Sequence, residues 1–248
     1  MKIAIAGGTG VVGRHVVEAV RDAGHDAVVI SRSQGVDLVT GTGLDAALFG
    51  ADAVIDASNV TTLKADTAID FFTTATGNLI TAAAAAGVRH VVLLSIVGID
   101  RMPYDYYAGK ATQEKIVEAS PMPWTIQRTT QFHEFAAQMF ARAKIGPLRV
   151  APRARTQPIA AAEVAERLVA LAAAEPQGRA HDLAGPREES LSAMVKAYAK
   201  SVGHRGWVPS ISIPTEQMKG MRAGLALPGA GAELGRQTFA EWLATQRH

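Results

Sequence analysis

Gly7, Gly10 and Gly13 recur every third residue in the run Gly7-Gly8-Thr9-Gly10-Val11-Val12-Gly13. A short apolar stretch, Lys2 to Ala6, leads into them, and Val11 to Ala23 follows at helical spacing. Glycines between a strand and a helix let the backbone bend sharply and come close to a pyrophosphate that side chains would keep away. The helix behind them offers unpaired N–H groups and the positive end of its dipole, so an anion can bind without a dedicated cation. In that context the three glycines predict a dinucleotide site. The next strand, Ala27 to Ser31, ends in Ser31-Arg32-Ser33, where NAD sites usually place an acid on the ribose 2′-hydroxyl. No carboxylate stands there to repel a 2′-phosphate. A charge-assisted bond from Arg32 is worth about 1.5–3 kcal/mol, so the expected cofactor is NADP(H).

Tyr106 and Lys110 lie four residues apart and share one face of a helix. A phenol ordinarily titrates near pH 10, and a neighbouring cation favours its ionised form, so the pair suits acid catalysis. Tyr104 and Tyr107 are alternative acids. Ser95 sits in no Gly-x-Ser-x-Gly elbow, so it is expected to hydrogen-bond a substrate carbonyl and not to act as a hydrolase nucleophile. His133-Glu134 is followed by Ala137, so the two-histidine helix spacing of a zinc site is missing and no metal is expected. Phe132, Phe135, Met139 and Phe140 form an apolar stripe that belongs either to a core or to the border of an aromatic substrate pocket. Trp207 and Trp242 are expected to pack inside a lobe.

Positioning these groups requires an alternation of strands and helices. Leu44 to Phe49 reads as a helix, Ala53 to Ala57 as a strand, and a long helix runs to Ala86, stopped by Gly87. A strand at Val91 to Ser95, a helix from Tyr106 to Ala119 and a strand at Trp124 to Arg128 complete the pattern. This alternation predicts a Rossmann-type, doubly wound parallel α/β sheet, with strand order 3-2-1-4-5-6. After Arg128 the alternation stops. Helices are expected at Phe132 to Lys144, Val164 to Ala174, Leu191 to Ser201 and Gly235 to Gln246, with a glycine-rich loop from Gly220 to Gly235. The expectation is one domain over 1–248, with a small C-terminal substrate lobe built mainly from 129–160 and 186–248.

Composition narrows the chemistry. The chain of 248 residues has no cysteine, which excludes disulfides, thiolate metal sites and a cysteine nucleophile. A formal charge of +2 lacks the density of a nucleic-acid face, and the cluster Arg149, Arg153 and Arg155 reads as a solvated loop. No apolar run approaches the ~20 residues of a membrane span, and the chain enters a strand without a signal-like segment. The expected setting is cytoplasmic. The expected partner is a small-molecule substrate, with no nucleic acid and no membrane, bound by a monomer or homodimer.

Taken together, Gly7 to Gly13, Leu94-Ser95-Ile96-Val97-Gly98, Tyr106-x-x-x-Lys110 and Thr130-Gln131-Phe132 resemble the atypical short-chain dehydrogenase/reductases, in particular NmrA-like NAD(P)H-binding members. The resemblance implies that Ser95, Tyr106 and Lys110 act in hydride transfer, with Lys110 also on the cofactor ribose. It further implies that Asp37 and Leu38 lie beside the adenine, that Ala57, Ser58 and Asn59 run beneath the ribose, and that Thr130, Gln131 and Phe132 approach the nicotinamide. The function expected is an NADPH-dependent oxidoreductase reducing a carbonyl or activated double bond of a small apolar or aromatic molecule. A non-catalytic NADP(H)-sensing regulator of the NmrA type is the alternative, and a nucleotide-sugar epimerase or dehydratase stands third.

Overall fold

Apolar runs bounded by glycine and proline become strands shielded on both faces. β1 (Lys2–Ala6), β2 (Asp26–Ile30), β3 (Ala53–Asp56), β4 (His90–Ile96) and β5 (Trp124–Thr129) lie in the order β2-β1-β3-β4-β5. β1 runs parallel to β2 and β3, and β3 parallel to β4. These positions come from a computed structural model that describes residues 1–246. The chain divides into two units, residues 1–128 with 161–181, and 129–160 with those from 182 onward.

The first unit is a Rossmann-like α/β sheet flanked by helices. Its strand order corrects the expected 3-2-1-4-5-6, because among the described residues no strand forms outside β2. The segment that would supply one folds into turns: Gly35 is left-handed at φ 77°, and Asp37 Oδ1 accepts from the Val39 N–H at 2.7 Å. Between β2 and β3 the chain forms a short 3-10 turn at Arg32–Gln34 and a short helix, α2 (Leu44–Leu48).

α1 (Val11–Asp22) buries Val12, Val16, Val17 and Val20 at helical spacing. α3 (Ala65–Ala85) and α4 (Tyr106–Ala119) pack closely on each other. A Cβ placed on Gly109 of α4 would lie 2.6 Å from Ala68 Cβ and 2.7 Å from the Ala68 carbonyl carbon, so the two helix backbones meet there. α6 (Ala161–Ala173) packs against α1 within the same unit.

The second unit has a small core of Ala136, Met194, Phe239 and Trp242. α5 covers Phe135–Arg142, later than its expected start at Phe132, because Phe132 bridges to Ile159 and the His133 N–H donates to the Ile159 carbonyl at 3.1 Å. α7 (Leu191–Ser201) matches expectation. α8 (Glu216–Arg222) forms partly in the expected loop, capped by Thr215, whose hydroxyl accepts from the Met218 N–H. α9 (Phe239–Thr245) starts after a Thr238–Glu241 capping box, not at Gly235. Trp242 packs as expected, whereas Trp207 is 74% exposed. Among the described residues no helix is long and apolar enough to cross a membrane.

Candidate nucleotide and catalytic site

The three glycines of the first turn have different duties. Gly7 is left-handed at φ 75°, and a Cβ on it would lie 2.7 Å from the Ala57 carbonyl oxygen. On Gly13 a Cβ would fall 2.1 Å from the Gly7 oxygen, inside the turn itself. Gly10 differs, since a Cβ there would meet only the Gly7 oxygen, at 3.2 Å, and otherwise face open space. Thr9 and Gly10 are exposed at the tip of the turn. Gly10 caps α1 in an extended conformation without a capping side chain, which leaves the N–H groups of Val11, Val12 and Gly13 for an anion. The Val12 side chain is buried, so only its backbone faces the turn.

Two further observations suit a dinucleotide. Ser58 Oγ is buried beside Gly7 without a hydrogen-bond partner, a ready donor or acceptor for a sugar hydroxyl. At the end of β2, the Arg32 side chain is exposed and takes part in no ion pair among the described residues, while the Ser31 and Ser33 hydroxyls lie 3.0 Å apart. Asp37 spends Oδ1 on the Val39 N–H, and Leu38 packs against the core of the sheet. Asn78 on α3 holds this loop by donating to the Leu38 and Val39 carbonyls, each at 2.9 Å.

The polar residues expected on α4 are engaged as follows. Tyr106, half-buried at the start of the helix, donates its hydroxyl to Asn59 Oδ1 at 2.7 Å. Burial pushes its phenol well above the ordinary range, and Tyr107 and Asp56 push in the same direction. The Lys110 ammonium is engaged elsewhere. Its Nζ donates to the Leu94 carbonyl at 2.7 Å and to Gln113 Oε1 at 2.5 Å, and it sits 5.0 Å from the Phe72 ring centre. Burial lowers its pKa to about 8, against the opposing pull of Asp56 and Glu114. Of the alternative acids, Tyr107 is buried and Tyr104 is exposed.

Ser95 is buried beside Glu114, without a hydrogen bond of good geometry. Glu114 is itself 2% exposed and takes two bonds from Arg128, at 2.9 and 2.8 Å, and one from Arg179 at 2.9 Å. Burial would raise its pKa, but the bonds from Arg128, the nearby Ser95 hydroxyl and the charges of Arg128 and Arg179 outweigh this and lower it. Glu114→Gln leaves Arg128 with Asp100 at 3.3 Å and a single amide oxygen, and is expected to cost about 1–3 kcal/mol, measured by urea unfolding at neutral pH. Because the folded-state pKa is depressed, the stabilising contribution is full above the ordinary glutamate range. It is lost as pH falls through the lowered value, so the gap between parent and variant should close in acid.

Thr130, Gln131 and Phe132 belong to the second unit and tie its segments together. Thr130 Oγ1 donates to the Gln157 carbonyl at 2.6 Å, Gln131 Oε1 accepts from Thr156 Oγ1 at 2.7 Å, and Phe132 bridges to Ile159. Arg149 and Arg155 of the basic cluster are engaged locally, Arg149 stacking over Phe140 and Arg155 pairing with Glu188. Asp56, Gln113 and Glu114 escaped the sequence reading. Their signal was present in the polar stripe 106, 110, 113, 114 of α4 and in an aspartate closing an apolar strand.

A family model described as NAD(P)H-binding matches residues 7–175. The chain is 31% identical over 206 residues to the (4-alkanoyl-5-oxo-2,5-dihydrofuran-3-yl)methyl phosphate reductase of Streptomyces griseus, across 74% of this chain and 68% of that protein. The structure is similar to an NADPH-dependent quinone oxidoreductase from Escherichia coli complexed with NADPH, with a TM-score of 0.73 and 18% identity over 98% of this chain and 99% of that one. It is also similar to a short-chain dehydrogenase/reductase superfamily protein from Agrobacterium tumefaciens with bound NAD, with a TM-score of 0.67 and 16% identity over 99% and 95% of the two chains. At these identities the two structures share the fold.

Proposed function

This chain belongs to the NAD(P)H-binding family, and we propose that it is an NADPH-dependent reductase of the atypical short-chain dehydrogenase/reductase kind. Its substrate in this reading is a carbonyl or activated double bond in a small apolar or aromatic molecule. One observation carries the reading: the segment Ala57 to Asn59 touches the glycine turn at one end and the catalytic candidate at the other. Gly7 packs on Ala57 and Ser58, and Asn59 accepts from the Tyr106 hydroxyl. A dinucleotide anchored on the turn would therefore run toward the phenol.

A nicotinamide dinucleotide held here would supply hydride. Tyr106 supplies the proton, which its raised pKa keeps on the hydroxyl throughout the neutral range. Asn59 aims that hydroxyl. The N–H groups opening α1 would hold the pyrophosphate, Ser58 Oγ would meet a sugar hydroxyl, and Arg32 would take the 2′-phosphate. A substrate panel to test this reading comprises quinones, enones, aromatic ketones and alkanoyl-substituted 5-oxo-2,5-dihydrofurans, the last because the reductase relative is named for one.

Titration of both cofactors tests the preference. The parent should bind NADPH more tightly than NADH, and Arg32→Ala should weaken NADPH by roughly ten- to a hundredfold while leaving NADH unchanged. Equal affinities in the parent would remove the 2′-phosphate contact. The second reading, a redox sensor, draws on the bonding of Lys110 to Leu94 and Gln113 and not to Tyr106. It predicts no turnover with any panel member and partner binding that differs between NADP⁺ and NADPH.

A further inference from the structure

We propose that Asp56, Gln113 and Lys110 form a buried positioning chain that sets where Asn59 holds the Tyr106 hydroxyl, with Gln113 as its central positioning residue. Its catalytic meaning rests on the reading of Tyr106 given above. Tyr106, Lys110 and Gln113 stand at i, i+4 and i+7 of α4 and so share one face. Gln113 Oε1 accepts from Lys110 Nζ at 2.5 Å, and its Nε2 donates to Asp56 Oδ2 at 2.9 Å. The amide has one workable orientation, because the flipped form would set its N–H groups against the ammonium and its oxygen against the carboxylate.

The other oxygen of Asp56 accepts from the Ser58 N–H at 2.9 Å, and the next residue, Asn59, accepts from Tyr106. Lys110 closes the opposite side on the Leu94 carbonyl of β4. The circuit thus leaves α4 through Gln113, crosses the ends of β3 and β4, and returns to α4 at Tyr106. Gln113 is 0% exposed, Asp56 2% and Lys110 4%. In such a setting an unmade bond is expensive, so the chain admits one arrangement of the helix against the strand ends.

Tyrosine labelled with ¹³C at the ζ carbon gives one resonance for each of the four tyrosines, and Tyr106→Phe identifies that of Tyr106. Asn59→Ala marks where the resonance falls when the bond is removed directly. Gln113→Met keeps the bulk and loses both bonds, and it should move the Tyr106 resonance to the Asn59→Ala position while those of Tyr104 and Tyr198 stay fixed. Gln113→Glu accepts from Lys110 but donates to Asp56 only while protonated. Its Tyr106 resonance should be parental at acidic pH and shifted at alkaline pH.

A merely structural role would lower the unfolding midpoint without moving that resonance. A parental Tyr106 resonance in Gln113→Met, or in Gln113→Glu at every pH, overturns the proposal, as does no shift in Asn59→Ala. Should Gln113→Met fail to fold, the pH response of Gln113→Glu decides alone. The spectra need neither cofactor nor substrate, so a protein that turns over nothing would defeat the reductase reading and leave this result standing.

Discussion

Gly10→Val is expected to fold cooperatively and to bind neither NADPH nor NADH, whereas Gly13→Ala is expected to lose the fold of the first unit. The two residues look equivalent in the sequence, and the space around them separates them. A side chain at position 10 touches only the Gly7 oxygen, at 3.2 Å, and then extends into the opening before α1. Its cost to folding is that of an unfavourable N-cap, about 1 kcal/mol. Its cost to binding is steric, because it fills the place where the backbone must approach the pyrophosphate. At position 13 even a methyl group would stand 2.1 Å from a backbone oxygen and 2.7 Å from Gly8 Cα. Neither atom belongs to a flexible side chain, so the penalty should exceed the ordinary 1–3 kcal/mol of overpacking, giving more than about 3 kcal/mol. Urea unfolding with parallel cofactor titration checks both. Retained affinity in Gly10→Val would make the turn purely structural.

Tyr106→Phe should slow NADPH-dependent reduction by about 10²–10⁴-fold, the usual loss on removing a general acid, with NADPH affinity nearly unchanged because the ring remains. The pH profile carries a second expectation. An acid must hold its proton to donate it, and burial moves this phenol upward, not toward neutrality. The rate attributed to Tyr106 should therefore show no fall through pH 7 to 9. A fall in that range would mean either that a cation lowers the phenol after all, or that Lys110, whose pKa burial lowers to about 8, must stay charged for turnover; Lys110→Met separates the two. Turnover unaffected by Tyr106→Phe would remove the residue from the mechanism and direct attention to Tyr104. NADPH oxidation across the substrate panel is the measurement.

What was legible in the sequence followed from local rules. β1, the glycine turn and α1 could be read because strand, turn and helix are contiguous and each shows its own periodicity. The bounds of α4 and α7 emerged for the same reason. The missing strand outside β2 was harder, since it depends on Gly35 and Asp37 turning a segment whose apolar residues are too few to pair. Helix spacing placed Tyr106 and Lys110 on one face but could not tell whether the amino group would turn toward the phenol or toward Leu94 and Gln113. Partners on β3 and β4 decided that, and they lie far away in the chain. α8 was hidden because Gly220 reads as a breaker, while the cap at Thr215 and burial of Met221 favour the helix.

Gly109 sits between Tyr106 and Lys110, and there the backbone of α4 rests on Ala68. A helix advances by about 100° per residue, so a contact without a side chain on one member acts as a stop against rotation about the helix axis. Turning α4 by one residue in either direction would bring a bulkier neighbour, Ala108 or Lys110, against α3 and force the helices apart. The angular phase of the Tyr-x-x-x-Lys pair is therefore set by the residue that has no side chain. Enlarging it would swing the phenol and the buried amine together, as spokes of one wheel.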